Sequence, residues 1–184
     1  MLAAGAGHYR VVNILLLKEG ADVSVVRSDG ATALHCSLAE KGHVTDPTAF
    51  SFFWVYAMEV LIEAGANPNS QASDGSTPLF AAACKGHVDA IKVLLRAKAN
   101  PLLSQLSPSS GLTFVPLDGA AQYGHWEVVY ELIQEHGIEG CGGDSGGLLA
   151  LCLAAENGHV AVMEESVDQR RSGRYRRRSP THCR

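Results

Sequence analysis

Residues 74–95 have the sequence DGSTPLFAAACKGHVDAIKVLL, which contains the start and stop signals of two short helices. The Asp-Gly pair that opens the segment is a tight-turn dipeptide. Thr77 fits a helix N-cap and Pro78 fits the first helical position, and Gly86 then ends this helix. A second helix is indicated by apolar residues three and four positions apart: Ile91, Leu94 and Leu95. The segment therefore predicts a turn, a short helix, a turn and a second helix.

A Gly-His dipeptide recurs five times along the chain. The glycines are separated by 35, 44, 38 and 34 residues and are Gly7, Gly42, Gly86, Gly124 and Gly158. A period of roughly 33 residues with irregular insertions indicates stacked structural repeats. Because five of the eight histidines belong to these dipeptides, we interpret those histidines as part of the repeat. This interpretation weakens any metal-binding or catalytic role for them.

The other units vary the same pattern, and together the segments resemble the ankyrin repeat. Residues 29–35 read DGATALH, with Ala33 where the family usually has proline. In the fourth unit Asp118 stands where the family usually has histidine, and the fifth unit lacks the Thr-Pro-Leu-His box. The resemblance covers about residues 2–163. It implies an all-α repeat solenoid of stacked helix-turn-helix ankyrin repeats joined by β-hairpin-like loops.

The predicted organisation is a repeat array over residues 1–165 followed by an arginine-rich, disordered tail over residues 166–184. We expect about five units with the first and last incomplete, at approximately 1–27, 28–72, 73–108, 109–142 and 143–165. Solenoids normally end in capping units with a polar outer face, and neither terminal unit has that character. Our hypothesis is that the chain is a fragment of a longer repeat protein, or that its last stretch departs from the parent reading frame.

Composition and charge describe a soluble chain with a basic end. The hydrophobic fraction is 46% and the mean hydropathy is +0.03, without the signature of a disordered protein. From residue 168 onward seven arginines face one aspartate, a net charge of +6, whereas the whole chain carries −4. This tail could contact nucleic acid or an acidic membrane surface, or act as a nuclear import signal, although an extension without a role is the favoured interpretation.

The cysteines indicate an intracellular protein. Their number is five, and they are scattered without the paired spacing of a zinc site. Cys36, Cys84 and Cys152 lie on or near first helices, as small buried fillers, and we interpret them as reduced. We expect a cytoplasmic location, with the nucleus as an alternative, and no transmembrane segment, metal or cofactor.

Two short segments resemble parts of trypsin-like proteases. Residues 141–147 read CGGDSGG, as around a nucleophilic serine, and residues 32–36 resemble the box around the histidine of those enzymes. That chemistry needs a serine, a histidine and an orienting aspartate together with oxyanion donors. His35 instead occupies the position where ankyrin units carry histidine, and no run of strands indicates a β-barrel. We therefore predict no enzymatic activity, no catalytic residue and no small-molecule substrate.

The resemblance implies protein partners, bound by hairpin tips and by a concave surface that the first helices line. The hairpin positions are Arg27, Ser28, Ala31, Gln71, Ser73 and Ser76. The ends of the first helices contribute Lys41, Lys85, Gln122 and Tyr123. These positions vary within the repeat, so they are the candidates for partner binding. The chain could also be the targeting part of a larger multidomain protein.

An insertion in the second unit concentrates aromatic residues. Five of the chain's twelve aromatics fall within seven positions: Phe50, Phe52, Phe53, Trp54 and Tyr56. The segment Thr45-Asp46-Pro47 predicts a helix start. We expect these rings to pack against a neighbouring unit. Helical spacing puts Phe50, Phe53, Trp54 and Ala57 on one helix face and leaves Phe52 and Tyr56 on another. Partner binding by Phe52 and Trp54 is the alternative, because interfaces favour aromatic residues. Trp126 is equally open to an interface role and to shielding of the next unit.

Overall fold

The computed structural model of the chain describes residues 1–17, 19–38, 47–106, 111–141 and 147–164, except for the side chains of residues 17, 47–52 and 137–141. Lys41, Thr45, Asp46 and the side chain of Phe52 lie outside this part, as does the Gly-Asp-Ser-Gly stretch at 143–146. The predicted tail at 166–184 lies outside it as well. The predicted unit limits and the roles of these residues therefore stay predictions.

Five helix pairs follow one another in the described residues. They are α1 (Leu2–Gly5) with α2 (Tyr9–Leu17), α3 (Ala33–Ser37) with α4 (Pro47–Glu63), α5 (Pro78–Lys85) with α6 (Val88–Arg96), α7 (Pro116–Tyr123) with α8 (Trp126–Cys141), and α9 (Leu148–Glu156) with α10 (residues 160–164). Between α6 and α7 lie two short antiparallel strands, β1 (Gln105–Leu106) and β2 (Thr113–Phe114).

The helix pairs stack in two layers. The first helices α1, α3, α5, α7 and α9 contact one another in that order, and the second helices α2, α4, α6 and α8 do the same. The predicted all-α repeat solenoid is thus confirmed. The strand pair between α6 and α7, with Gln105 opposite Phe114, is the clearest of the hairpin-like loops. None of the described helices is long and apolar enough to cross a membrane.

The core between the layers repeats from unit to unit. Leu34, Leu79 and Leu117 occupy equivalent positions in α3, α5 and α7, and at most 1% of each is exposed. Burying one such leucine stabilises the fold by roughly 1.5–3 kcal/mol. Small residues let neighbouring first helices approach closely, since a Cβ added at Gly119 would lie 2.7 Å from the Cys84 Sγ.

Local capping explains where the third unit's first helix begins and ends. The Thr77 hydroxyl accepts a hydrogen bond from the Phe80 N–H at 3.1 Å, and Pro78 occupies the first turn. Gly86 ends α5 with a φ of 73°, in the left-handed region that favours glycine. The start and stop signals in the sequence are therefore confirmed.

The cysteines differ from one another in exposure. Cys36 is buried and Cys84 is half-buried, and burial raises the pKa of the Cys84 thiol to about 11. The prediction that Cys152 is a buried filler is wrong, because this side chain is exposed. Its equivalent in the third unit is Phe80, which is half-buried and faces Gly119 of the following unit. The described residues provide no such following unit for Cys152.

Candidate functional site

The hairpin tips before α3 and α5 have the same tight turn. In the first, the Arg27 N–H donates to the Ala31 carbonyl and the Gly30 N–H donates to the Arg27 carbonyl, each at 2.9 Å. Gly30 has a φ of 74°, which the turn requires. An ion pair of 3.2 Å joins the exposed side chains of Arg27 and Asp29. The second turn repeats both backbone hydrogen bonds between residues 72 and 76.

Neighbouring tips are fixed to one another. The Ser73 N–H donates to the Asp29 carbonyl at 2.9 Å, and a Cβ at Gly30 would lie 2.7 Å from the Ser73 nitrogen. Gly30 therefore serves both the turn and the close approach of the next hairpin. The Gln105 Nε2 donates to the Asp74 carboxylate at 3.1 Å, which extends the connection to the third hairpin. We call this row of three hairpins the tip edge, and its described residues are 27–31, 71–76, 105–106 and 111–114.

The predicted hairpin residues fall into two groups. Arg27, Ser28, Gln71 and Ser73 are exposed. Ala31 and Ser76 are half-buried. The Ser76 hydroxyl donates to the Asp74 Oδ1 at 2.6 Å. Ser76 therefore helps to hold the turn, and the four exposed residues are the better candidates for contact with a partner.

The side chains predicted at the ends of the first helices are only partly available to contact a partner. The Lys85 Nζ donates to the Leu38 carbonyl at 2.8 Å, so this ammonium stabilises the end of α3. Gln122 is half-buried, whereas 57% of Tyr123 is exposed. The Tyr123 ring stacks on His125 with centroids 6.5 Å apart.

His35 lies in the segment that resembles the histidine box of trypsin-like proteases, but both of its ring nitrogens make contacts within the repeat array. Its Nδ1 accepts a hydrogen bond from the Thr32 N–H at 3.2 Å, and its Nε2 lies 3.1 Å from the Ser76 carbonyl of the next hairpin. Burial lowers the pKa of His35, which favours the neutral ring. With both nitrogens engaged, this histidine links two units and has no free nitrogen to activate a nucleophile.

The Gly-His dipeptides join successive units through one recurring contact. The His125 Nε2 lies 3.1 Å from the Cys84 carbonyl, and the His159 Nε2 lies 3.0 Å from the Gln122 carbonyl. A Cβ at Gly86 would meet the His125 Nδ1 at 2.5 Å, so glycine leaves the space that the next unit's ring fills. We call this arrangement the inter-repeat histidine contact.

The aromatic insertion forms a surface between the first two units. The Phe53 ring stacks on Tyr9 at 5.8 Å between centroids, and Tyr56 lies against the same ring at 5.7 Å. The Trp54 Nε1 donates to the Gly5 carbonyl at 3.4 Å. The expected packing on a neighbouring unit is thus observed for Phe53, Trp54 and Tyr56. Phe53 was nevertheless expected on the same face as Ala57, and it is 47% exposed whereas Ala57 is buried.

Trp126 opens α8 and is 43% exposed. Farther along the same helix, Glu131 forms an ion pair of 3.0 Å with Lys92 of α6.

Beside the aromatic insertion lies a groove of about 600 Å³, lined by Phe53, Trp54 and residues 6–11. Tyr9 lies at the centre of the aromatic surface, in contact with Phe53 and Tyr56, and this role was not predicted from the sequence. The aromatic residue that follows the first Gly-His dipeptide was the available signal.

A buried carboxyl, that of Asp118, is a second feature to which no role was assigned from the sequence. Asp118 is 2% exposed, and its Oδ2 accepts a hydrogen bond from the Val115 N–H at 3.0 Å. Its Oδ1 has no hydrogen-bond partner among the residues that the structure describes. Burial raises the pKa of Asp118 to about 6. Asp118 caps α7 at the position that His35 occupies in α3. In the sequence, an aspartate where the family usually has histidine was the visible signal of this buried carboxyl.

Comparisons with known proteins agree with this architecture. A family model described as ankyrin repeats (3 copies) matches residues 1–105 and again residues 52–140. The human protein BCL-6 corepressor-like protein 1 is 31% identical over 116 residues, a match that covers 63% of this chain and 6% of that protein. One assignment follows from the stacked helix pairs, the tip edge and the family match: the chain belongs to the ankyrin repeat family.

Proposed function

We propose that the chain is a non-catalytic interaction module that binds partner proteins through the tip edge and the adjoining concave face of the first helices. The observation that carries this proposal is the hydrogen bond from the Ser73 N–H to the Asp29 carbonyl, which holds two hairpins in a fixed relation. Four exposed polar side chains extend from these hairpins: Arg27, Ser28, Gln71 and Ser73.

A fixed backbone favours binding because little conformational entropy remains to be lost on association. Tyr123 adds an exposed aromatic ring at the end of α7, and aromatic rings supply contact area at low entropic cost. Ankyrin repeats are in general protein-interaction modules. The similarity to a corepressor-like human protein makes a protein of transcriptional repression one candidate partner.

A second candidate function rests on the charge of residues 168–184, which is +6. A segment of this charge could attach the chain to nucleic acid or to an acidic membrane surface, with an affinity that falls as salt is raised. The array could also be the targeting segment of a larger multidomain protein. The match to a relative of which it covers 6% supports that alternative.

The test compares proteins captured by four forms of the immobilised chain: the wild type, a tip variant, a control variant and a chain ending at residue 164. The double substitution Ser28→Arg with Gln71→Arg changes the tip edge, and Glu135→Arg changes an exposed residue of α8 by the same side chain. We expect the tip variant to lose partners that the wild type and the Glu135→Arg chain retain. Equal capture by the wild type, the tip variant and the Glu135→Arg chain would refute the tip edge. Loss of the same partners from a chain ending at residue 164 would instead support the basic tail.

The proposal that the chain is non-catalytic has its own test. The purified chain is expected not to cleave a panel of peptide esters. Hydrolysis that Ser145→Ala abolishes would show that the protease resemblance is meaningful after all.

A further inference from the structure

One face of α8 combines aromatic and acidic side chains. Trp126 is 43% exposed and Tyr130 is 37% exposed, and they lie four positions apart on one side of the helix. Glu127 and Glu135 are exposed, and Glu131 lies between them at the same spacing of four residues. We call these five residues the α8 face. Helix α8 lies within the array, since α6 packs beside it and the fifth unit follows it, so the α8 face is not an end face.

The charge of the α8 face is only partly neutralised by the described part of the array. Helix α8 contains four glutamates and neither lysine nor arginine. Lys92 of α6 pairs with Glu131 at 3.0 Å, whereas Glu127 and Glu135 have no ion pair with any described residue. Like charges four residues apart destabilise a helix. A positively charged group placed between Glu127 and Glu135 would therefore relieve this repulsion.

Carboxylates beside aromatic rings are a surface that suits arginine. A guanidinium group can pair with a carboxylate through two N–H groups, and it can also stack on an aromatic ring. The two carboxylates without an ion pair are eight residues apart, which corresponds to about 12 Å along the helix axis. A ligand with several arginines in a short stretch of chain therefore fits the α8 face.

The basic tail of the same chain has this composition. Six of its seven arginines fall within residues 170–178. Arg170, Arg174 and Arg178 repeat the four-residue spacing of the three glutamates on the α8 face. The whole chain carries −4 and residues 168–184 carry +6, so the rest of the chain carries −10. Tail and array are therefore complementary in charge.

The tail begins within reach of the α8 face. The ring of His159, just before α10, lies in the space that Gly124 leaves, two residues before Trp126. The described part of α10 ends at residue 164, and Arg170 follows six positions later. Six extended residues span roughly 20 Å, whereas packed helices lie about 8–10 Å apart. The first arginines can therefore reach α8 without any change in the array.

We propose that the segment 170–178 docks on the α8 face of its own chain, with guanidinium groups between Glu127 and Glu135. The same groups stack on the rings of Trp126 and Tyr130. Charge complementarity and the short connection identify this occupant, since a tethered segment has a high effective concentration at a nearby surface. Docking withdraws the arginines from nucleic acid and from acidic membranes, so the tail masks itself until a competing polyanion displaces it.

Limited digestion of the full chain by trypsin measures the docked fraction, because the protease cuts after arginines of the tail only when they are undocked. We expect Glu127→Gln with Glu135→Gln to raise the rate of cleavage within 170–178 by about 2- to 30-fold, the effect of two surface ion pairs. The matched control is Glu19→Gln with Glu63→Gln, which removes two exposed carboxylates from the first two units and is expected to leave the rate unchanged. Equal rates in all three chains overturn the proposal. Protection of the wild type that falls on dilution would assign the contact to a second copy, and it also overturns docking within one chain.

Acrylamide quenching of tryptophan fluorescence in the full chain tests the other side of the contact. Replacing Arg170, Arg174 and Arg178 by glutamine is expected to increase quenching, because the undocked tail no longer shields Trp126. The same replacement in a Trp126→Phe chain, which keeps only Trp54, is expected to leave quenching unchanged. No increase in the first comparison, or an equal increase in the second, contradicts docking on the α8 face.

Discussion

Replacing Asp118 by asparagine should stabilise the fold at neutral pH. The carboxyl is 2% exposed, and burial raises its pKa from 3.8 to about 6. At pH 7 the folded state therefore holds an ionised group that its surroundings disfavour. The asparagine carbonyl can still accept the hydrogen bond from the Val115 N–H that caps α7, and no charge is buried.

The size of the effect follows from the difference between the two pKa values. It corresponds to about 3 kcal/mol in favour of the protonated carboxyl in the folded state. Because the folded pKa is the higher one, this contribution is fully present below pH 3.8 and is lost as the pH rises through about 6. The Asp118→Asn chain lacks the titration, so its advantage over the wild type should grow across that window and then level off.

The assay is urea unfolding followed by circular dichroism from about pH 4 to about pH 8, with the difference in unfolding free energy taken at each pH. All other titrating groups are shared by the two chains, so they cancel in the difference. Asp118→Ala is the control, since it removes both the charge and the cap. It should show the same pH dependence but lie about 1 kcal/mol lower. A difference that does not change with pH would refute the reasoning.

Four further substitutions probe the repeat itself. Gly124→Ala should destabilise more than Gly158→Ala, measured by thermal unfolding, because the two share a positive φ but only the first crowds His159; equal losses would contradict this. Thr77→Ala should cost about 1 kcal/mol of unfolding free energy by removing the cap of α5. Leu79→Ala should cost about 2–5 kcal/mol in urea, and a loss near zero would mean that its site is not closely packed.

The order of the helices could be predicted because its causes are local. A capping threonine, a proline in the first turn and a glycine in the left-handed region each act within one turn of helix, as at Thr77, Pro78 and Gly86. The spacing of the Gly-His dipeptides then indicated stacked units. The exposure of the aromatic insertion could not be predicted in the same way, because helical spacing does not show which neighbour a face meets. Phe53 followed the spacing of Ala57 and yet lies against Tyr9 at the surface.

The candidate site could be predicted only in part, for a related reason. Exposed tip residues such as Arg27 and Gln71 follow from the position of the turn. The second role of Ser76 does not, since its carbonyl meets His35 from a unit 41 positions earlier. Likewise, Lys85 is exposed as expected, but its Nζ reaches the Leu38 carbonyl of the previous unit. Side chains that bridge units are invisible until the stacking is known.

The Gly-His dipeptide illustrates how one pattern can carry two functions. In sequence the glycine and histidine are neighbours, but in the array each works with a different unit. Gly124 ends α7 and makes room for His159 of the next unit, whereas His125 reaches back to the Cys84 carbonyl of the previous one. The Gly124-His125 pair therefore links its unit both to the preceding and to the following one.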